Sequence, residues 1–129
     1  MYRLTVGDRM LASHQANERV MSVLDDLTQV LAQRKTESPE TSYVAALHEK
    51  GLNKILEKVG EEATEVILAA KDAGIDDNGR KHVVQETADL WFHTMVMLSE
   101  LGLSSQDVLD ELGKRFGVGG LDEKASRQA

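Results

Sequence analysis

Leu52-Asn53-Lys54-Ile55-Leu56-Glu57-Lys58-Val59-Gly60-Glu61-Glu62-Ala63-Thr64-Glu65-Val66-Ile67-Leu68-Ala69-Ala70-Lys71-Asp72 reads as one uninterrupted helix. Ile55, Val59, Ala63, Val66 and Ala70 recur at helical spacing and form its apolar stripe. With each residue advancing about 100°, Lys54, Lys58, Glu61, Glu62 and Glu65 fall in one sector beside that stripe, Glu62 nearest the core side. Gly60 sits mid-helix, where it costs about 1 kcal/mol relative to alanine. Close helix packing or substrate approach would justify it; a tolerated weak spot is the alternative.

Working outward, Ala73-Gly74-Ile75-Asp76-Asp77-Asn78-Gly79 reads as a turn short enough to make its flanking helices antiparallel neighbours. The helix after it, about Arg80 to Leu101, is apolar nearly all round from Leu90 to Leu98, so its middle is expected to be buried. A narrow polar seam of His82, Glu86, Asp89, His93 and Glu100 runs along it. Upstream, Val20, Val23, Leu24, Leu27, Val30 and Leu31 mark a first helix over about Glu18 to Arg34. A polar loop then leads to a short helix from Tyr43 to Glu49, stopped by Gly51 as a left-handed cap. Ser104-Ser105-Gln106-Asp107 resembles a capping box opening a last helix towards Phe116. One proline and two phenylalanines, with no convincing period-two alternation, disfavour strands. The expectation is an all-α bundle of four to five helices over residues 21–116, with an N-terminal extension or disordered arm over 1–20 and a flexible tail over 117–129. The fourth helix is apolar on more faces than one subunit can cover, so a homodimer is expected to complete the bundle.

Composition narrows the function. The chain has 129 residues, enough for one modest core. A net charge of −7 leaves no basic stripe for a nonspecific nucleic-acid binder. The absence of cysteine excludes disulfides, thiol catalysis and cysteine-ligated zinc, and fits a reducing cytoplasm. No apolar run approaches the roughly 18 residues of a membrane span, and the first ten residues lack a secretory signal's apolar core. Gly117-Val118-Gly119-Gly120 lacks the flanking strand and helix of a phosphate loop.

Two carboxylate pairs carry the chemistry. Glu62 and Glu65 are three apart, as are Glu86 and Asp89, so each pair projects from one side of its helix. Antiparallel neighbours would let the four converge, and a cation is the natural occupant of such a point. All-oxygen ligation favours magnesium or manganese over zinc or copper. Alone, the first pair reads far more readily as a solvated charged face, and the second pair is what shifts the balance. Asp89, within a strongly apolar stretch, demands compensation if buried, from His93 one turn on, a lysine or a metal. His93 is read as a core histidine bonded to Asp89 in a supporting role. Lys54 and Lys58 either make helix-surface ion pairs, Lys58 with Glu62 and Lys54 with none obvious, or hold phosphate oxygens. His14, His48 and His82 carry no signal, and the lone Trp91 needs no role beyond packing.

Ser42-Tyr43, Gly51-Leu52-Asn53-Lys54-Ile55-Leu56, Lys58-Val59-Gly60-Glu61-Glu62-Ala63-Thr64-Glu65 and Glu86-Thr87-Ala88-Asp89-Leu90-Trp91-Phe92-His93 together resemble the phosphoribosyl-ATP pyrophosphohydrolase family. This is a histidine-biosynthesis branch of the all-α nucleoside triphosphate pyrophosphatases. The resemblance covers about Met21 to Arg115. It implies hydrolysis of phosphoribosyl-ATP at its α–β phosphoanhydride, magnesium held by Glu62, Glu65, Glu86 and Asp89, and a dimer. Glu61 by this analogy lines the cluster or orients water, and Glu61 or Glu62 would accept the water's proton. Two alternatives stand beside it: a house-cleaning nucleotide pyrophosphatase of the same superfamily, and a non-catalytic helical interaction module.

Overall fold

The structure is a computed structural model that describes residues 23–116. The assigned extension over 1–20, the start of the first helix, His14 and the tail over 117–129 lie outside the described residues. Those residues form five helices and no strand: α1 over 23–34, α2 Tyr43–Lys50, α3 Leu52–Asp72, α4 Asp77–Glu100 and α5 Ser105–Lys114.

Local chemistry sets the boundaries. Ser42 caps α2, its hydroxyl accepting from the Ala45 N–H. Gly51 joins α2 to α3 at φ 94° and ψ 177°. That is positive-φ extended backbone, open essentially to glycine only, rather than the left-handed cap expected from sequence. The turn before α4 is shorter than expected. Asp76 accepts from the Gly79 N–H, and this N-cap starts the helix at Asp77 instead of Arg80. A Cβ on Gly79 would overlap the Ala73 carbonyl, so glycine permits that tight return. Asp107 accepts from the Ser104 N–H at 2.8 Å to open α5 as the sequence suggests.

The core sits at one end. Leu31, Val44, Leu47, Ile55, Met95 and Val96 interlock there, with Leu24, Leu27, Phe92 and Met97 packed around them. Beyond this end α3 and α4 continue as an antiparallel hairpin whose buried residues, Ala69 and Ala73, are small enough for close helix approach. The stripe on α3 turns slightly from its expected course: Ala69 is buried and Ala70 exposed, and Glu62 lies on the buried line between Ile55 and Ala69. The middle of α4 is less covered than expected. Met95, Val96 and Leu98 are buried, but Trp91 is 58% exposed and so is not explained by packing within the chain. At the far end of α2, a hydrogen bond between His48 Nδ1 and the Glu100 carboxylate ties α2 to the end of α4.

Gly60 has open space where a Cβ would be, so helix packing within the chain does not require it. Gly60→Ala should therefore raise stability by about 0.5–1 kcal/mol in urea titration. A fall instead would show that Gly60 meets a surface other than its own chain.

Candidate metal centre

The antiparallel pairing of α3 and α4 sets Glu62 against His93, Glu65 against Glu86, and Ala69 and Asp72 against His82. Glu62, Glu65 and Glu86 each offer a carboxylate oxygen, and the three atoms lie within 4.8 Å of one another. Glu62 is 7% exposed. Oε2 of Glu62 and Oε2 of Glu86 are both sealed from solvent without a hydrogen-bond partner. Orphaned anionic oxygens are rare in folded proteins because each forfeits its hydration. A hard cation would satisfy both at once, so the donor set fits magnesium or manganese.

Asp89 differs from the sequence expectation in its depth. It is exposed and stands outside this three-carboxylate group. Three residues of helix turn it about 60° away from Glu86, whereas His93, seven residues on, returns to within about 20°. The buried carboxylate in need of compensation is Glu62. Asp89 still acts on the centre, its charge helping to raise the Glu86 carboxyl.

His93 is buried as expected, but its partners differ. Its Nδ1 lies 2.8 Å from the Asp89 backbone oxygen rather than the carboxylate, and its Nε2 lies 2.8 Å from the Tyr43 hydroxyl. A carbonyl only accepts, so Nδ1 carries a proton; in the neutral ring Nε2 then accepts from Tyr43. Nδ1 also stands 3.9 Å from Glu62 Oε1. His93 thus braces the wall on which Glu62 sits.

Lys58 borders the centre on the α2 side, with Nζ 3.1 Å from Glu61 and 3.6 Å from Glu62. Its amine is held above the usual lysine range, chiefly by the hydrogen bond to Glu61. Glu61 is half exposed and bound to this lysine. Lys54 does have a partner, Glu57 at 3.2 Å, and among the described residues it makes no ion pair with the clustered carboxylates.

Two residues carry more than the sequence reading assigned. Tyr43 belonged only to a motif. His82 was passed over, yet its Nδ1 is 3.8 Å from Glu86 Oε1 and it lines a cavity of about 220 Å³ with Glu65, Leu68, Ala69, Asp72 and Glu86. Its signal was its place eleven residues before His93, three helical turns on one face.

Electrostatics follow from crowding. Burial first, then Glu65, pushes the Glu62 carboxyl up, and His93 and Lys58 offset part of this. Burial first, then Glu65 and Asp89, raises Glu86, with His82 opposing. Raised carboxyls bind more protons folded than unfolded. Their contribution is fully present below the unfolded value of about 4.3 and is lost as pH rises through the raised folded values. In EDTA, the melting temperature of the wild type relative to Glu62→Gln should fall as pH rises above about 4.5. Saturating magnesium should reverse that trend, since the ion binds the ionised form. Parallel curves with and without magnesium would contradict this account.

The pattern describing the phosphoribosyl-ATP pyrophosphohydrolase family matches residues 24–116. A phosphoribosyl-ATP pyrophosphatase of Hydrogenovibrio crunogenus is 61% identical over 105 residues, covering 81% of this chain and 92% of that protein. A phosphoribosyl-ATP pyrophosphatase of Methylococcus capsulatus is 56% identical over 108 residues, covering 84% of this chain and 98% of that one.

Proposed function

This chain belongs to the phosphoribosyl-ATP pyrophosphohydrolase family, and we propose that it performs that reaction at the carboxylates between α3 and α4. It hydrolyses phosphoribosyl-ATP to phosphoribosyl-AMP and pyrophosphate, a step of histidine biosynthesis. The observation that carries the site is the pair of sealed, partnerless oxygens on Glu62 and Glu86 within a three-carboxylate group.

Glu62, Glu65 and Glu86 would hold magnesium, with manganese as a substitute, and Asp89 adds its negative charge from the rim. Bound there, the ion supplies Lewis acidity and neutralises charge on the phosphates. The Lys58 ammonium meets phosphoryl oxygens on the α2 side, with Lys54 one turn further out. Glu61 and Glu62 are the candidates to take the water's proton. The Tyr43–His93–Asp89 chain of hydrogen bonds keeps the Glu62 wall fixed. A homodimer and a cytoplasmic setting complete the proposal. The dimer is supported by apolar side chains that one chain leaves exposed, the setting by the biosynthetic activity for which the relatives are named.

The test is pyrophosphate release from phosphoribosyl-ATP against a panel of ordinary nucleoside triphosphates, with magnesium and with EDTA. We expect a magnesium-dependent rate and a strong preference for phosphoribosyl-ATP. Equal rates across the panel would favour a house-cleaning pyrophosphatase. No release from any nucleotide would favour a non-catalytic module.

A further inference from the structure

We infer that the α3–α4 groove fixes the direction in which the substrate lies: the nucleoside monophosphate half runs towards Asp72 and His82, and the leaving pyrophosphate towards Lys58. This inference rests on the reading of the carboxylates as the hydrolytic centre. Helix α3 serves as a ruler. Lys58 and Asp72 stand seven residues before and after Glu65, about 10 Å along the axis in each direction. The two directions differ in chemistry.

On the Lys58 side an ammonium group stands beside the carboxylates, its Nζ 3.1 Å from Glu61 and 3.6 Å from Glu62. That is the end suited to the denser negative charge, and the leaving pyrophosphate carries more than the monophosphate left on the nucleoside. On the other side the cavity of about 220 Å³ has an apolar wall of Leu68 and Ala69, closed by the Asp72 carboxylate and the His82 ring. Asp72 would repel a phosphate. As an acceptor-only group it suits the hydroxyls of a ribose, the pairing by which carboxylates hold ribose in dinucleotide sites. Leu68, 55% exposed, presents an apolar surface to the sugar or to one face of the base. The cavity is smaller than a site that encloses a whole drug-sized ligand, so it grips the ribose and part of the base and leaves the remainder outside. The His82 ring, 3.8 Å from Glu86, stands where the nucleoside half leaves the carboxylates and offers a donor to the oxygens there.

The experiment measures binding of AMP and of pyrophosphate separately, by calorimetry in magnesium, to the full chain and to variants. Asp72, His82 and the Lys58 amine face solvent or the groove edge, so their replacement should spare the fold, which melting curves would verify. Asp72→Ala and His82→Ala should each weaken AMP by about tenfold and leave pyrophosphate within about twofold. Asp72→Asn, which keeps a carbonyl acceptor, should recover part of the AMP loss. Lys58→Met should do the reverse, weakening pyrophosphate by about tenfold and sparing AMP. Variants at Asp72 and His82 that weaken pyrophosphate as much as AMP, or that leave AMP unchanged, would overturn the inference. Either result in an enzyme that still turns over phosphoribosyl-ATP with magnesium refutes the direction alone. A wild type without turnover refutes the hydrolytic reading, and the direction falls with it.

Discussion

Glu62→Gln should lower magnesium-dependent pyrophosphate release by about 100-fold or more and leave the metal-free protein at least as stable as the wild type. The substitution keeps the shape of a side chain that is 7% exposed and removes its charge. The lost charge stands against Glu65, and the side chain that carries it holds one of the two sealed oxygens without a partner. Removing it relieves repulsion that now raises the Glu62 carboxyl, so the apo fold gains. Against this stands the loss of the contacts at 3.6 Å to Lys58 and 3.9 Å to His93. Neither is close enough for a strong charge-assisted hydrogen bond. Glu65→Gln and Glu86→Gln should cost activity about 10- to 100-fold. Asp89→Asn should have the smallest effect on both counts, because its carboxylate is exposed and outside the group. A structural salt-bridge network would give the opposite pairing, lower stability with activity kept. Melting temperatures with and without magnesium, beside release rates for all four variants, separate the two. Unchanged activity in Glu62→Gln together with any one other would remove these carboxylates from the reaction.

The ordering of those variants depends on what was and was not legible in the sequence. Helix α3 was readable to its ends because its apolar spacing is regular and Gly51 and Ala73-Gly74 bracket it. The convergence of two carboxylate pairs was readable because i,i+3 spacing survives any reasonable packing of an antiparallel pair. Depth was not readable. Apolar neighbours in sequence suggested that Asp89 was buried, but successive residues of a helix point about 100° apart, and Asp89 shares an exposed side of α4 with Gln85 rather than with Leu90 or Trp91. Glu62, flanked by charge in sequence, is buried because Ile55 and Ala69 set the inward line of α3 and it stands midway between them. His93 shows the same limit. Its distance from Asp89 predicted a partner one turn away, and it has one, but the backbone carbonyl of that residue rather than its carboxylate. Periodicity fixes angles around a helix. Which angle faces a neighbour depends on the other helices.

Trp91→Glu should convert a dimer into a monomer, raising the dissociation constant by about 100-fold or more. Trp91 is 58% exposed in a single chain and borders an apolar groove of about 360 Å³ with Leu24, Leu90, Met95, Val108 and Leu112. The hairpin end adds Ile67 at 66% exposure and Val84 at 68%. Single exposed apolar residues are ordinary, but a groove walled by α1, α4 and α5 and bordered by an exposed tryptophan is the surface that stable assemblies cover. A second copy of the chain is the occupant we propose, since a two-fold pairing would also brace the α3–α4 hairpin that projects beyond the core. A carboxylate placed at the centre of such a contact would be desolvated without a partner, a penalty of several kcal/mol. In the separated chain the same glutamate lies in water and should leave the helix intact. Light scattering and sedimentation across micromolar concentrations would measure the effect, with circular dichroism to check the helices. A wild type that is monomeric at micromolar concentration and fully active would overturn the dimer. A Trp91→Glu protein that stays dimeric would move the interface off this groove. If the variant is a monomer that also loses turnover, the second subunit is holding the hairpin, and with it the spacing of Glu65 and Glu86.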